Sequence, residues 1–127
     1  MEGHIMLKIA VLDDKAIFCE RISKKIYSIY EKMHVAVNVD CYSNGKEVMY
    51  EVEDGKYYDI YVLDIDLPDI SGIDLGQKLR KSSPYCYIIF LTAYPQYAIE
   101  GYSVRAYQYI LKDEWETKLD TTLENIQ

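Results

Sequence analysis

Asp13, Asp14, Asp64, Thr92 and Lys112 each stand at or just past the end of an apolar, β-branched run: LKIAVLDD, DIYVLD, CYIIFLT and YILK. If those runs are parallel strands of one sheet, the five side chains gather at its carboxyl edge, where open α/β sheets bind ligands. Three carboxylates crowded at one edge repel each other and call for a cation. Mg2+ suits them, because it takes oxygen ligands, keeps several waters and uses one or two carboxylates together with phosphate oxygens. An ammonium and a hydroxyl beside it can meet the other oxygens of a phosphoryl group, whose transfer depends mostly on positioning and electrostatics.

None of these residues is persuasive alone. An Asp-Asp pair often caps a helix, an isolated lysine is ordinarily solvated, and threonine is common at strand ends. Their joint placement at the ends of apolar runs is what points to chemistry. Ala93, next to Thr92, leaves room for the incoming group.

The elements that must position these side chains alternate along the chain. Residues 7–12 are nearly all apolar, as for a strand buried on both faces. Cys19, Ile22, Ile26, Ile29/Tyr30 and Met33 then recur at helical spacing, with Asp14 placed to start that helix. Val35, Val37, Val39 and Cys41 alternate with polar residues, which predicts a strand nearer the sheet edge. Ser43 or Asn44 caps a second helix that reaches Glu53 and ends at Gly55. Residues 59–63 form a third strand, followed by the turn residues Pro68, Asp69, Ser71 and Gly72 and a third helix to about Lys81. A fourth strand over 85–91, a short helix from Pro95 to near Tyr102 and a fifth strand over 106–111 follow. Trp115, Leu119, Thr122/Leu123 and Ile126 give the last helix its apolar face. Five β–α units with short connections predict one doubly wound α/β domain: a five-stranded parallel sheet with helices on both faces, over residues 6–127.

Composition narrows the function further. Of 127 residues, 14 are Lys or Arg and 21 are Asp or Glu, a net charge of −7. Such a domain repels nucleic acid, whose nonspecific binding rests on phosphate neutralisation by basic groups. No apolar run approaches the ~18–20 residues of a membrane span and no signal-peptide pattern opens the chain. Cys19, Cys41 and Cys86 are odd in number, lack metal-ligand spacing and lie in apolar stretches, which predicts buried, reduced thiols in a cytoplasmic protein. The leading MEGHI is unlike the strand that follows, and the native start is expected at Met6.

Asp13-Asp14, LDIDLPDISG, FLTAY and YILK, in this order and spacing, resemble the receiver domains of bacterial two-component response regulators over about residues 7–126. The resemblance implies a flavodoxin-like (βα)5 fold and a phosphorelay role. Asp64 is then the residue that accepts a phosphoryl group from a partner histidine kinase. Asp14 and Asp64 ligate Mg2+ directly with the backbone carbonyl of Asp66, while Asp13 acts largely through water. Thr92 and Lys112 bind the phosphoryl oxygens, and Tyr109 occupies the place of the family's switch aromatic. Pro68 and Gly72, four and eight residues past Asp64, match the family's loop. Such a domain catalyses its own phosphorylation and dephosphorylation and has no free substrate to turn over. ILKD and TAYPQYAIEGYSVRAYQYILK look most like receivers that precede a LytTR-type DNA-binding domain, which implies a C-terminal effector acting in transcription regulation.

Two residues depart from the family pattern. Asp113 replaces the proline that usually follows the lysine, often across a cis bond. A cis bond before a non-proline residue costs ~2.5–4 kcal/mol, so the expectation is a trans bond with a reshaped loop or an unusual retained cis bond. Asp66 adds negative charge near the route of an attacking water, and Asp66 with Tyr94 is expected to tune dephosphorylation. Fourteen tyrosines stand against two phenylalanines, and Tyr94, Tyr97, Tyr102, Tyr107 and Tyr109 concentrate around the fourth helix and fifth strand. Tyrosine favours interfaces over deep cores, so this surface is expected to support a homodimer. Two rival readings remain. Asp64-Ile-Asp66 imitates the nucleophile motif of haloacid-dehalogenase-type phosphatases, although Asp13-Asp14 lies too early for that family and no segment is left for a cap. A degenerate receiver that binds without being phosphorylated is opposed by the five filled positions.

Overall fold

The computed structural model describes residues 6–126, so the expectation about residues 1–5 lies outside it. In chain order the elements are β1 (Leu7–Leu12), α1 (Ala16–Lys32), β2 (Val37–Tyr42), α2 (Gly45–Glu53), β3 (Ile60–Leu63) and α3 (Gly72–Ser82). β4 (Tyr87–Thr92), α4 (Ala98–Val104), β5 (Gln108–Leu111) and α5 (Trp115–Glu124) complete them. Single 3-10 turns precede α4 at Pro95–Tyr97 and α5 at Lys112–Glu114. All strand pairings are parallel, in the order β2-β1-β3-β4-β5. The order reverses at β1, which places a crevice between the carboxyl ends of β1 and β3.

Alternation along the strands divides the interior in two. Ile9, Val11, Ile60, Val62, Ile89, Leu91 and Ile110 turn toward α1 and α5 and pack on Ile22, Ile26, Trp115 and Leu119. Ala10, Leu12, Tyr61, Leu63, Ile88 and Phe90 turn the other way, onto Val48 of α2, Leu75 and Leu79 of α3 and Val104 of α4. Because both faces of the central strands are covered, those strands are continuous apolar runs, whereas the edge strand β2 is only half-buried.

Side-chain caps start α2 and α3. Asn44 accepts from the Glu47 N–H at 2.9 Å and Ser71 from the Ile73 N–H at 3.1 Å, satisfying donors that have no partner within the helix. Arg80 ties α3 to the end of α4: Nε donates to the Val104 carbonyl at 2.9 Å and Nη2 to that of Arg105 at 3.0 Å.

Three expectations are corrected. Asp14 does not start α1: Lys15 holds the cap position, and the Lys15 N–H donates to Asp13 Oδ1 at 2.9 Å. Met33 is not on the buried stripe, because α1 ends at Lys32 and Met33 is 37% exposed. Cys41 is exposed, since β2 lies at the sheet edge, while Cys19 and Cys86 are buried as expected. Among the described residues no peptide bond is cis, so Lys112-Asp113 is trans and the chain there takes the 3-10 turn.

Candidate functional site

Three strand ends deliver the charged groups. β1 and β3 are neighbours in the sheet, with Leu12 opposite Leu63, so Asp13 and Asp64 emerge side by side. Asp14 follows one residue later and points to solvent, while Asp13 and Asp64 are buried. One carboxylate oxygen from each of Asp13, Asp14 and Asp64 lies within 4.8 Å of the others. Lys112, just past β5, reaches across the end of β4: Nζ is 2.8 Å from Asp13 Oδ2 and 2.9 Å from Asp64 Oδ2. The second Asp64 oxygen, Oδ1, accepts from the Asp66 N–H at 3.3 Å. Thr92 closes β4, fully buried, and its hydroxyl oxygen accepts from the Tyr94 N–H at 3.4 Å.

The two ends of the Asp13–Lys112 pair respond differently to their surroundings. Burial pushes the Asp13 carboxyl above the ordinary aspartate value, against the pull of Lys112 and the Lys15 N–H. Burial also works against the Lys112 charge, but Asp13 and Asp64 outweigh it and hold the ammonium above the ordinary lysine value. The asymmetry has a geometric cause: the Asp13 side chain is 1% exposed and that of Lys112 is 19%. A charge cluster of three carboxylates and one ammonium retains net negative charge, and all of its donors to a metal are hard oxygens. That donor set fits Mg2+, and Asp14 is exposed where Asp13 and Asp64 are buried.

Backbone packing fixes the acceptor loop. The Gly72 N–H donates to the Ile65 carbonyl at 2.8 Å, so α3 begins directly behind the end of β3. Asp69, read from sequence only as a turn residue, binds the start of α2: its two oxygens accept from the N–H groups of Gly45 and Lys46 at 2.9 and 2.8 Å. Pro68 lies between, exposed. Asp66 is exposed as well, and the Tyr94 hydroxyl donates to its carboxylate at 3.4 Å. Tyr109 donates to the Tyr94 carbonyl, and its half-buried ring packs on Phe90 with centroids 5.9 Å apart.

One neighbour of the site carried no sequence signal. The Lys112 ammonium lies 4.4 Å from the centroid of the Phe18 ring, and Phe18 stacks edge-on against Trp115. Phe18 is on α1 and Trp115 on α5, so only the packing of those helices brings an aromatic face over the lysine. The sequence-predicted residues Asp13, Asp14, Asp64 and Lys112 come together, Thr92 and Asp66 flank them, and Tyr109 and Tyr94 form a layer behind Thr92.

Residues 9–124 match the family described as the response regulator receiver domain. The sensory transduction protein LytT of Enterococcus faecalis is 35% identical over 118 residues, which are 93% of this chain and 47% of that protein. The transcriptional regulatory protein LytR of Staphylococcus aureus is 30% identical over 123 residues, covering 95% of this chain and 47% of that protein. The chain thus spans about half the length of the curated relatives it matches. Among solved structures, the response regulator protein TrrA from Thermotoga maritima, in complex with Mg2+ and BeF, is 30% identical with a TM-score of 0.74. That match covers 92% of this chain and 99% of the TrrA chain.

Proposed function

Because the chain belongs to the response regulator receiver domains, with LytT and LytR regulators among its relatives, we propose that Asp64 is its phosphoacceptor in a Mg2+-dependent phosphorelay. The single observation that carries this reading is the cluster at the β1–β3 crevice: Asp64 beside Asp13 and Asp14, with the Lys112 ammonium 2.9 Å away. An Asp64 carboxylate oxygen attacks phosphorus, and a P–O bond forms as the P–N bond to the kinase histidine breaks. Asp14, Asp64 and the Asp66 carbonyl would hold Mg2+, with Asp13 acting through water, and the ion would offset the charge gathered on the phosphoryl oxygens. Lys112 then exchanges a carboxylate for a phosphoryl oxygen, a short move for an ammonium already between two acids. Thr92 turns its hydroxyl from the Tyr94 N–H toward the same group, and Tyr109, bonded to the Tyr94 carbonyl, carries that movement to the α4-β5-α5 surface.

The partners follow from the same reading. A sensor histidine kinase donates the phosphoryl group in the cytoplasm, and a C-terminal effector of the LytTR DNA-binding type receives the signal, a reading supported by the likeness to LytT and LytR. Among the described residues no helix is long and apolar enough to cross a membrane. Exposed Ile99 and Tyr102 on α4, with Tyr107 beside β5, favour a phosphorylation-dependent homodimer on that face. Sedimentation with and without beryllofluoride tests this: the mass is expected to double, and an unchanged mass at high concentration refutes the dimer.

The acceptor assignment is tested by incubating the protein with acetyl phosphate and Mg2+ and measuring intact mass. One phosphoryl group is expected, absent when Mg2+ is chelated and absent in Asp64→Asn. A phosphoryl mass that survives in Asp64→Asn overturns the assignment. Steady turnover of a generic phosphate ester would instead favour the phosphatase reading.

A further inference from the structure

Away from the acidic crevice, Cys19 of α1 and Cys41 of β2 meet at the sheet edge. Cys41 lies opposite Val11 in the β1–β2 register, and the Cys19 sulfur is 3.6 Å from the Val11 carbonyl oxygen, so the two residues share one neighbour. The Cys41 thiol is 3.6 Å from the Cys19 carbonyl and 3.1 Å from the Ser23 hydroxyl. Cys41 is an exposed residue and Cys19 a buried one, so of the two Cys41 is the more accessible to a small solute. Their acidities are split as well. Contact with Cys19, helped by the Ser23 hydroxyl and opposed by burial, pushes Cys41 down to about 6. Contact with Cys41 together with burial pushes Cys19 up.

We propose that Cys41 and Cys19 form a peroxide-oxidisable dithiol, with Cys41 the attacking sulfur and Cys19 the resolving one. The Cys41 thiolate attacks one oxygen of hydrogen peroxide, the O–O bond breaks, and the departing hydroxide takes a proton to leave as water. The resulting Cys41 sulfenic acid is attacked by the Cys19 sulfur. An S–S bond forms as the S–O bond breaks, and the released hydroxide takes the Cys19 proton. In sum two thiols are oxidised and one peroxide is reduced to two waters. Reactivity of this kind follows thiolate character and access, which Cys41 combines. The bond would tie α1 to β2. Cys86 provides an internal control: it is buried in the opposite core layer, with its sulfur 3.6 Å from Arg80 Nη1.

The test treats the reduced full chain with hydrogen peroxide, blocks remaining thiols, and maps peptides without reductant. The mass is expected to fall by two hydrogens, with Cys19 and Cys41 peptides linked, Cys86 blocked, and dithiothreitol reversing the change. Cys41, exposed where Cys86 is buried, is expected to react at least about tenfold faster than Cys86. Cys19→Ala is expected to leave a sulfenic acid on Cys41 that dimedone labels, and Cys41→Ser to abolish the reaction. The wild-type map decides the matter even where a variant folds poorly. No linked peptide, linkage only between chains, or Cys41 running on to sulfinic acid without linkage each overturns the proposal.

Discussion

Gly72 stands so close behind Asp64 that a Cβ on it would overlap the Asp64 carbonyl oxygen and come within 2.7 Å of the Ile65 Cα. The obstacle is backbone, which cannot swing aside as a flexible side chain can. Gly72→Ala is therefore expected to displace either the end of β3 or the start of α3, at a cost of about 1–3 kcal/mol, the range of overpacking changes. Urea unfolding measures the cost, and the acetyl phosphate reaction is expected to slow with it. An unchanged midpoint would mean that the loop is not confined as described.

Asp13 gives a pH dependence with a definite sign. Its folded-state pKa is raised above 3.8 by burial. Its contribution to stability is thus fully present below about 3.8, its unfolded value, and lost as pH rises through the raised folded value. Asp13→Asn stays neutral throughout and leaves Lys112 paired with Asp64. The variant is expected to melt higher than the native protein at pH 7 in the absence of Mg2+, with the gap closing on acidification. Thermal melts across that range check it, and a gap that widens as pH falls contradicts the burial argument.

Phe18 and Lys112 supply a third expectation. An ammonium over an aromatic face gains about 0.5–2 kcal/mol, more as water is excluded. Phe18→Leu keeps the volume and loses the π face, so it is expected to destabilise the fold by about that amount. Phe18→Tyr is expected to restore it. If Leu and Tyr variants unfold together, the ring is only filling space.

Asp66 and Tyr94 concern the lifetime of the phosphorylated state. Their 3.4 Å contact puts a phenol and a carboxylate together at the exposed side of the crevice. Asp66→Asn and Tyr94→Ala are each expected to change the rate of phosphate loss by several-fold, read as decay of the phosphorylated mass over time. If neither variant alters the decay, the pair has no part in admitting water.

Much of this molecule is legible in its sequence because the central strands, covered on both faces, must be apolar along their length and so announce themselves. A residue at the end of such a run is thereby assigned to one edge of the sheet, which is why Asp13, Asp14, Asp64, Thr92 and Lys112 were readable together. Boundaries were harder. Asp14 has the chemistry of a helix cap, but Asp13 meets the Lys15 N–H instead, a choice set by where β1 delivers each side chain.

Sequence alone determined the alternating elements, the parallel sheet and the residues of the acidic edge, since these follow from periodicity and from position along a strand. Tertiary packing decided the rest. Phe18 covers Lys112 only because α1 and α5 share one face of the sheet, and Asp69 caps α2 only because the acceptor loop lies beside it. Cys41 reads as a core thiol in its alternating strand, yet β2 is the sheet's edge, and the residue is exposed with its sulfur 3.6 Å from the Cys19 carbonyl. Contacts between residues far apart in the chain leave no periodic trace, because they depend on which faces of separately formed elements come to lie together.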